Sequence, residues 1–179
     1  SLERNGNPVT SHSEISTVAV NYYKQLLGTA KVVSPIPPEL NFKKLSVEQS
    51  ANLIVPFSNA EIHDVFKNLP SHKSPGPDGL TAEFFSKAWT VINSDVYSAI
   101  HFFFDSLRLP RIINSAAIAL IPKIDNAASM SHYRPISCCN VLYKVISKLI
   151  ALRMKSIMPV LVSNNQAAFV KGRKLGDHV

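Results

Sequence analysis

Apolar residues recur every three or four positions in several segments, and this spacing predicts amphipathic helices. The clearest case covers residues 58–69, where Ser58 and Glu61 have the spacing of a capping box. In that motif each side chain satisfies a free backbone N–H at the helix start. The same apolar spacing predicts further helices over residues 15–27, 81–92, 95–107 and 141–158, and Thr81 is predicted to be the N-cap of the helix over 81–92.

The two central helices carry many aromatic residues on one face, which favours packing in a core over stacking on nucleic-acid bases. The residues predicted to point inward are Phe84, Phe85, Ala88, Trp89, Ile92, Val96, Ile100, Phe103, Phe104 and Leu107. The segment 141–158 is mostly apolar, but Lys144, Lys148 and Lys155 share one narrow stripe when residues are spaced about 100° apart. We therefore expect a mostly buried helix with a basic edge, ended by Pro159.

Two short segments have the character of strands. Residues 116–121 read AAIALI and are followed by Pro122, a pattern that suits a buried strand, although a helical turn fits it too. Residues 133–139 indicate a second strand. Prolines interrupt the chain near residue 35, so residues 1–56 are predicted to form a short helix and a connector. The whole pattern predicts a helix-rich α+β fold with a small sheet.

The segment SHKSPGPDGL, residues 71–80, combines two prolines with two glycines. Proline fixes φ and glycine permits positive φ, while Asp78 can bond to its own backbone. These constraints predict a stiff, shaped loop. It is either an ordinary connector between helices or a functional loop.

The charge is unevenly distributed along the 179 residues, whose formal net charge is +7. Residues 111–174 hold ten Lys or Arg and one acid, whereas residues 1–110 hold nine basic and ten acidic residues. A basic block of this kind attracts a polyanion, and nucleic acid is the usual partner. The alternative is a solvated basic face without a partner. The hydrophobic content of 46% argues against global disorder.

Several protein classes are disfavoured by what the sequence contains. The two cysteines, Cys138 and Cys139, are adjacent and do not make a disulfide framework, which indicates a reducing, intracellular compartment, nuclear or cytoplasmic. We expect no membrane partner, because no apolar run reaches the roughly 20 residues of a membrane helix. The polar start does not resemble a signal peptide.

The catalytic motifs of common enzymes are also missing from the sequence. The six histidines are scattered, and neither HExxH, a Walker loop nor GxSxG occurs. The basic part offers no pair of carboxylates to hold two metal ions about 4 Å apart. We therefore predict no catalytic and no metal-binding residue. What remains are cations in constrained settings, which either bind phosphate or solvate the surface: Lys123, Arg134 and Arg173.

Four motifs in order resemble the reverse transcriptases of non-LTR (LINE-like) retroelements, with the plant branch nearest. They are SPGPDGLTAEFF, LPRIINSAAIALIPK, YRPISCCNVLYKVISKLIALRM and NQAAFVKGR. The resemblance runs over residues 57–179, which it identifies as a partial, fingers-side polymerase domain. Residues 1–56 resemble the connector that precedes the polymerase in such elements.

The resemblance implies a role for individual residues. Lys123 in IPK and Arg134 in YRPI match the cations that hold the triphosphate of an incoming nucleotide, and a point charge and a planar fork suit phosphate oxygens. The residues implied to contact the template or other nucleic acid are Lys73, Pro75, Gly76, Asp78, Gly79, Lys144, Lys148, Gln166, Phe169, Gly172 and Arg173.

The resemblance also implies that the catalytic aspartates of the palm lie beyond Val179. We therefore expect this stretch to be inactive alone. The complete enzyme would be an RNA-directed DNA polymerase that uses Mg²⁺, an RNA template, a DNA primer and dNTPs. Two alternatives stay open: a non-enzymatic nucleic-acid-binding protein derived from such an element, and a relic that folds poorly because surface meant to be buried is exposed.

Overall fold

The computed structural model describes residues 2–4, 7–30, 33–37, 42–163, 166, 170, 172 and 173. The strands are β1 (Leu2–Arg4), β2 (Asn7–Val9), β3 (Ala116–Pro122) and β4 (Tyr133–Cys139). The helices are α1 (His12–Gly28), α2 (Val47–Ile54), α3 (Asn59–Lys67), α4 (Ala82–Ser106), α5 (Val141–Met154) and α6 (Met158–Leu161). A single 3₁₀ turn, Met130–His132, precedes β4. This confirms a helix-rich α+β fold in which β3 and β4 form a small sheet.

The chain divides into two compact units that interleave along the sequence. One unit contains Ser1–Pro37 and Ile118–Ser137, and the other contains Pro38–Ala117 and Cys138–Val179. The resemblance implies a boundary at residue 56 between the connector and the polymerase domain. That boundary is based on the sequence motifs, and it stays a prediction. None of the helices in the described ranges is long and apolar enough to cross a membrane.

The smaller unit packs α1 against the segment that leads into β4. β1 and β2 pair antiparallel, with Leu2 opposite Val9. The core of this unit is small and contains Val9, Tyr23 and Met130. Burial raises the pKa of the Tyr23 hydroxyl, because the charged form loses its hydration.

The larger unit holds the main core, where α3 packs against both α4 and α5. Ile62, Ile100 and Val145 are fully buried there. Each such side chain contributes about 1.5–3 kcal/mol relative to an exposed one. The other buried members of this core are Phe57, Val65, Phe66, Phe85, Val96, Val141, Ile146 and Leu149.

The capping predictions are confirmed. The side chain of Ser58 accepts from the backbone N–H of Glu61 at 3.2 Å, and the Glu61 carboxylate accepts from the backbone N–H of Ser58 at 2.8 Å. Thr81 caps α4 in the same way through the N–H of Phe84. A second capping box, Ser46 with Gln49, begins α2, a helix that sequence reasoning missed.

Five structural predictions were wrong. Residues 81–92 and 95–107 form one continuous helix, α4, because Asn93 does not break it: its amide donates to the Trp89 carbonyl at 2.8 Å. Leu107 does not point inward but ends α4 with a left-handed φ of 55° and is 80% exposed. Phe84 is also exposed.

The remaining two corrections concern α5 and β3. α5 ends at Met154 and does not continue to Pro159. Pro159 lies in the first turn of α6, where the backbone N–H that proline lacks would have no partner within the helix. The strand β3 forms as predicted, but it is largely exposed rather than buried. A two-stranded sheet leaves both faces open unless another layer covers them, and Ile118 and Ile121 are about half exposed.

Candidate nucleic-acid interface

Asn140 connects two loops to the start of α5 and is only 1% exposed. Its Nδ2 donates to the carbonyl oxygens of Ile112 and Ile113 at 2.7 and 3.3 Å. Its Oδ1 accepts from the backbone N–H of Asp78 at 3.3 Å. Because the amide is used in this way, it makes no capping bond to α5. Every polar group of this buried side chain therefore serves a long-range contact.

The loop of residues 71–80 owes its shape to this contact. A Cβ on Gly76 would lie 2.0 Å from Oδ1 and 2.4 Å from the backbone N of Asn140, so no other residue fits there. The Gly76 carbonyl accepts from the N–H of Gly79, whose φ is 73°. The carboxylate of Asp78 accepts from the N–H of Leu80 at 3.0 Å. The predicted stiffness of the loop is thus explained by packing as well as by its prolines.

Two further contacts fix the loop to flanking helices. The backbone N–H of His72 donates to Glu83 on α4, and this hydrogen bond lowers the pKa of the Glu83 carboxyl. The ammonium of Lys144 on α5 donates to the carbonyl of Ser74 at 3.0 Å. The side chain of Lys73 is exposed beside these contacts.

The predicted basic edge is found on α5, but the helix is not mostly buried, since Ile150 and Leu152 are among its exposed residues. Lys144 is half-buried, Lys148 is exposed, and Lys155 is exposed directly after the end of α5. The structure thus brings Lys144 next to the loop of residues 71–80 and leaves the ammonium of Lys148 open to solvent.

A groove of about 700 Å³ lies between α3 and α5. Its apolar lining includes Leu69, Leu149 and Leu152, and Leu152 is 47% exposed. Asp64 lines it from α3 and Lys148 lines it from α5. Neither charged group makes an ion pair within the ranges that the structure describes.

Arg153 lies at one end of this groove and is heavily bonded. Its guanidinium donates to two carbonyls at the end of α2, stands 3.5 Å above the ring of Phe57, and comes within 3.5 Å of the Glu61 carboxylate. The pKa of Glu61 is lowered, first by the hydrogen bond from the Ser58 backbone and also by Arg153. Arg153 therefore has a structural role, holding α2 against α3 and α5.

Lys123 and Arg134 lie together in the smaller unit, at one end of the β3–β4 sheet. The backbone N–H of Lys123 donates to the carbonyl of His132 at 2.8 Å, which joins the end of β3 to the start of β4. The ammonium of Lys123 donates to the carbonyl of Ser131 at 2.8 Å. Arg134 is exposed on β4. The two predicted triphosphate ligands are thus neighbours, although one of them already bonds to its own loop.

Arg173 is surrounded by carbonyl groups. Its Nη2 donates to Pro159 at 3.2 Å and to Val162 at 3.0 Å, and its Nη1 donates to Gln166 at 2.8 Å and to Ser163. The guanidinium thereby satisfies free carbonyls at the C-terminal end of α6. Gly172 beside it has φ of 85°. Phe169, another predicted template residue, lies outside the described residues.

Sequence reasoning missed Asn140, Arg153 and the groove. Asn140 stands just before an apolar helix, where asparagine commonly acts as a local N-cap. The neighbouring residues give no signal of its long-range hydrogen bonds. Arg153 and the groove gave no local signal, because they depend on how α3 meets α5. Over the parts of the chain that the structure covers, no group of three or more His, Cys, Asp or Glu could hold a metal ion.

Two curated proteins are similar to this chain. The uncharacterized 149 kDa protein of transposon TX1 from Xenopus laevis is 28% identical over 176 residues, which cover 97% of this chain and 14% of that protein. The retrovirus-related Pol polyprotein of the type-1 retrotransposable element R1 from Bradysia coprophila is 26% identical over 149 residues, 82% of this chain and 13% of that protein.

The chain therefore spans about one seventh of the length of the two relatives. No model of a known protein family matches it. Both relatives are proteins of mobile elements, and one similarity extends over nearly the whole chain. The chain is therefore similar to proteins of mobile elements over most of its length.

Proposed function

We propose that the chain is a fingers-side part of the RNA-directed DNA polymerase of a non-LTR retrotransposon of the plant type. Its task in that enzyme is to hold the incoming nucleotide and the template. The observation that carries the proposal is the occurrence of four polymerase motifs in order, together with the similarity to a Pol polyprotein over 149 residues.

The position of Lys123 and Arg134 supports the nucleotide-binding part of the proposal. Lys123 directly follows β3, and Arg134 lies near the start of β4, the strand paired with it. The hydrogen bond from the Lys123 N–H to the His132 carbonyl holds the backbone at this end of the sheet. A cation on a fixed backbone loses less entropy on binding a phosphate than one on a loose segment. The ammonium of Lys123 exchanges its bond to Ser131 for a phosphate oxygen when a triphosphate binds.

The chemistry of bond formation requires groups that this chain does not supply from its described residues. The resemblance implies Mg²⁺ in the complete polymerase, but the residues described here offer no cluster of ligands for it. We assign to this chain the binding and positioning of the nucleotide and the template.

The test of the nucleotide-binding role uses a complete polymerase that contains this sequence. Replacing Lys123 and Arg134 by Ala should raise the KM for dNTP in primer extension and leave the affinity for the primer–template largely unchanged. A loss of primer–template affinity as large as the rise in the KM for dNTP would contradict the assignment of Lys123 and Arg134 to the triphosphate. Lys87→Ala on α4 is the matched control, because it removes an exposed positive charge that belongs to the other unit.

A second candidate is a non-enzymatic nucleic-acid-binding protein derived from such an element. The excess of ten basic over one acidic residue in 111–174 favours it. This candidate predicts that the chain binds RNA by itself. It also predicts no DNA synthesis when the chain is mixed with a separately produced palm domain of the polymerase. Restored synthesis in that mixture would instead favour the polymerase.

A further inference from the structure

We propose that the groove between α3 and α5 takes a single unpaired base of a nucleic-acid strand, with guanine as the preferred base. The inference rests on the proposed function and deepens it, because it adds a base-reading site to a surface otherwise expected to contact only phosphates. The site is built from Asp64 on α3, Lys148 on α5 and the apolar lining between them.

The size of the groove selects the kind of ligand. A volume of about 700 Å³ falls within the 300–1,000 Å³ typical of small-molecule sites. Its lining extends along α3 from Glu61 to Asn68 and along α5 from Lys144 to Arg153, which is about 10 and 14 Å at 1.5 Å per residue. These lengths accommodate one nucleoside but not three turns of a helix, which need about 16 Å.

The ends of the groove are occupied by the protein's own contacts. At one end Arg153 approaches Glu61 within 3.5 Å. At the other end Lys144 donates to the carbonyl of Ser74. A long partner that must continue past both ends is therefore disfavoured, whereas a base that enters from the open side is not.

The charges of the groove match the edges of guanine. Asp64 offers a carboxylate that accepts hydrogen bonds, and Lys148 on the other helix offers an ammonium that donates them. Guanine carries donors on its N1 and N2 edge and acceptors at N7 and O6 on the other edge. The side chain of Leu152, which is 47% exposed, also lines the groove and offers an apolar surface to the face of a planar ring.

A path for the rest of the strand adjoins the groove. A second depression shares Lys148 and Leu152 with it and is also lined by Lys155, Met154 and Met158. Lysine at the edge and apolar side chains on the floor are the combination that single-stranded nucleic acid uses, with phosphates on the cations and bases on the apolar surface. Lys148 is common to both depressions and is placed to serve phosphate and base together.

The test measures binding of the chain to fluorescein-labelled oligouridine, with and without one central guanosine, by fluorescence anisotropy. We expect the guanosine to strengthen binding by about fivefold or more, the lower end of what one good base contact supplies. An inosine in the same place, which lacks the N2 amino group, should lose part of that gain. A duplex of the same sequence should show no guanosine effect.

Three variants separate base recognition from phosphate binding. Asp64→Asn should abolish the preference for guanosine and leave affinity for plain oligouridine unchanged. Leu152→Ser should weaken binding of single strands, whereas Leu27→Ser, at a more exposed leucine on α1, should not. Lys148→Ala should weaken the binding of every oligonucleotide, and Lys87→Ala is its control.

The outcomes distinguish the two proposals. If Lys148→Ala weakens binding but the guanosine preference is absent, or survives Asp64→Asn, the base site is refuted and phosphate binding by α5 stands. If the unmodified chain binds no oligonucleotide at all, the proposed function itself fails. If Asp64→Asn and Leu152→Ser leave all binding unchanged, the groove takes no base and the proposal is overturned.

Discussion

Replacing Asn140 by Ala should strongly destabilise the larger unit, because this side chain is buried and bonded to three backbone groups. The change removes hydrogen bonds to the carbonyls of Ile112 and Ile113 and from the N–H of Asp78. A typical hydrogen bond contributes about 1 kcal/mol, and a buried group left without a partner costs about 1–3 kcal/mol. Two of the three contacts are long, at 3.3 Å, so we expect a total loss of about 2–4 kcal/mol.

The measurement is urea unfolding followed by fluorescence of Trp89, the single tryptophan, which packs against Phe66 in the same unit. With a slope of about 2 kcal/mol per molar urea, the expected loss lowers the midpoint by about 1–2 M. The slope itself should stay constant, since the same surface is exposed on unfolding.

A matched control comes from Asn93, a half-buried asparagine whose amide donates to the Trp89 carbonyl within α4. Asn93→Ala should cost about 1 kcal/mol or less, since it removes local bonds only. Asn140→Asp supplies a second comparison. Its carboxylate can still accept from the N–H of Asp78, but its other oxygen cannot donate to the Ile112 carbonyl, which is itself an acceptor. We expect it to be at least as harmful as Ala. A midpoint for Asn140→Ala equal to that of Asn93→Ala would refute the role assigned to Asn140.

Three further changes test other parts of the structure. Gly76→Ala should destabilise the larger unit in the same urea assay, because its Cβ would lie 2.0 Å from Asn140 Oδ1, whereas Gly28→Ala meets no atom within 4 Å and should be tolerated. The pKa of Glu61 is lowered in the folded state, so the ionised carboxylate stabilises the fold at neutral pH, and this stabilisation is lost as pH falls below 4.5. Glu61→Gln should therefore flatten the pH dependence of the free energy of unfolding below pH 4.5. The change should be about 1 kcal/mol at most, because the carboxylate is half exposed. Arg173→Lys should accelerate proteolysis of the segment after α6, because an ammonium cannot reach the four carbonyls that the guanidinium bonds, and a digestion rate equal to that of the unmodified chain would contradict this.

Local features of the fold were predictable from the sequence. The capping box of Ser58 and Glu61 and the cap at Thr81 depend on neighbouring residues alone, and both were found where the spacing indicated. The strands β3 and β4 were also predicted at the right places. Helix boundaries were less predictable: the apolar spacing indicated two helices over residues 81–92 and 95–107, but Asn93 satisfies its amide within α4 and the helix continues.

Features that depend on distant parts of the chain were not predictable. The burial of Asn140 requires the loop containing Gly76 to approach α5, which no local pattern reveals. The exposure of β3 follows from the number of strands beside it, and an apolar run such as AAIALI does not report that number. Similarly, the four bonds of Arg173 depend on the end of α6, which the GR motif does not specify.

The central claim, that this chain contacts nucleic acid through the basic edge of α5, is tested most directly by the salt dependence of binding to single-stranded RNA. If Lys144, Lys148 and Lys155 each neutralise one phosphate, the logarithm of the association constant should fall with the logarithm of salt concentration with a slope of about −2. Lys148→Ala should reduce the magnitude of that slope by about 0.7, and Lys87→Ala should not change it. Binding that is absent, or that does not change with salt, would contradict the claim.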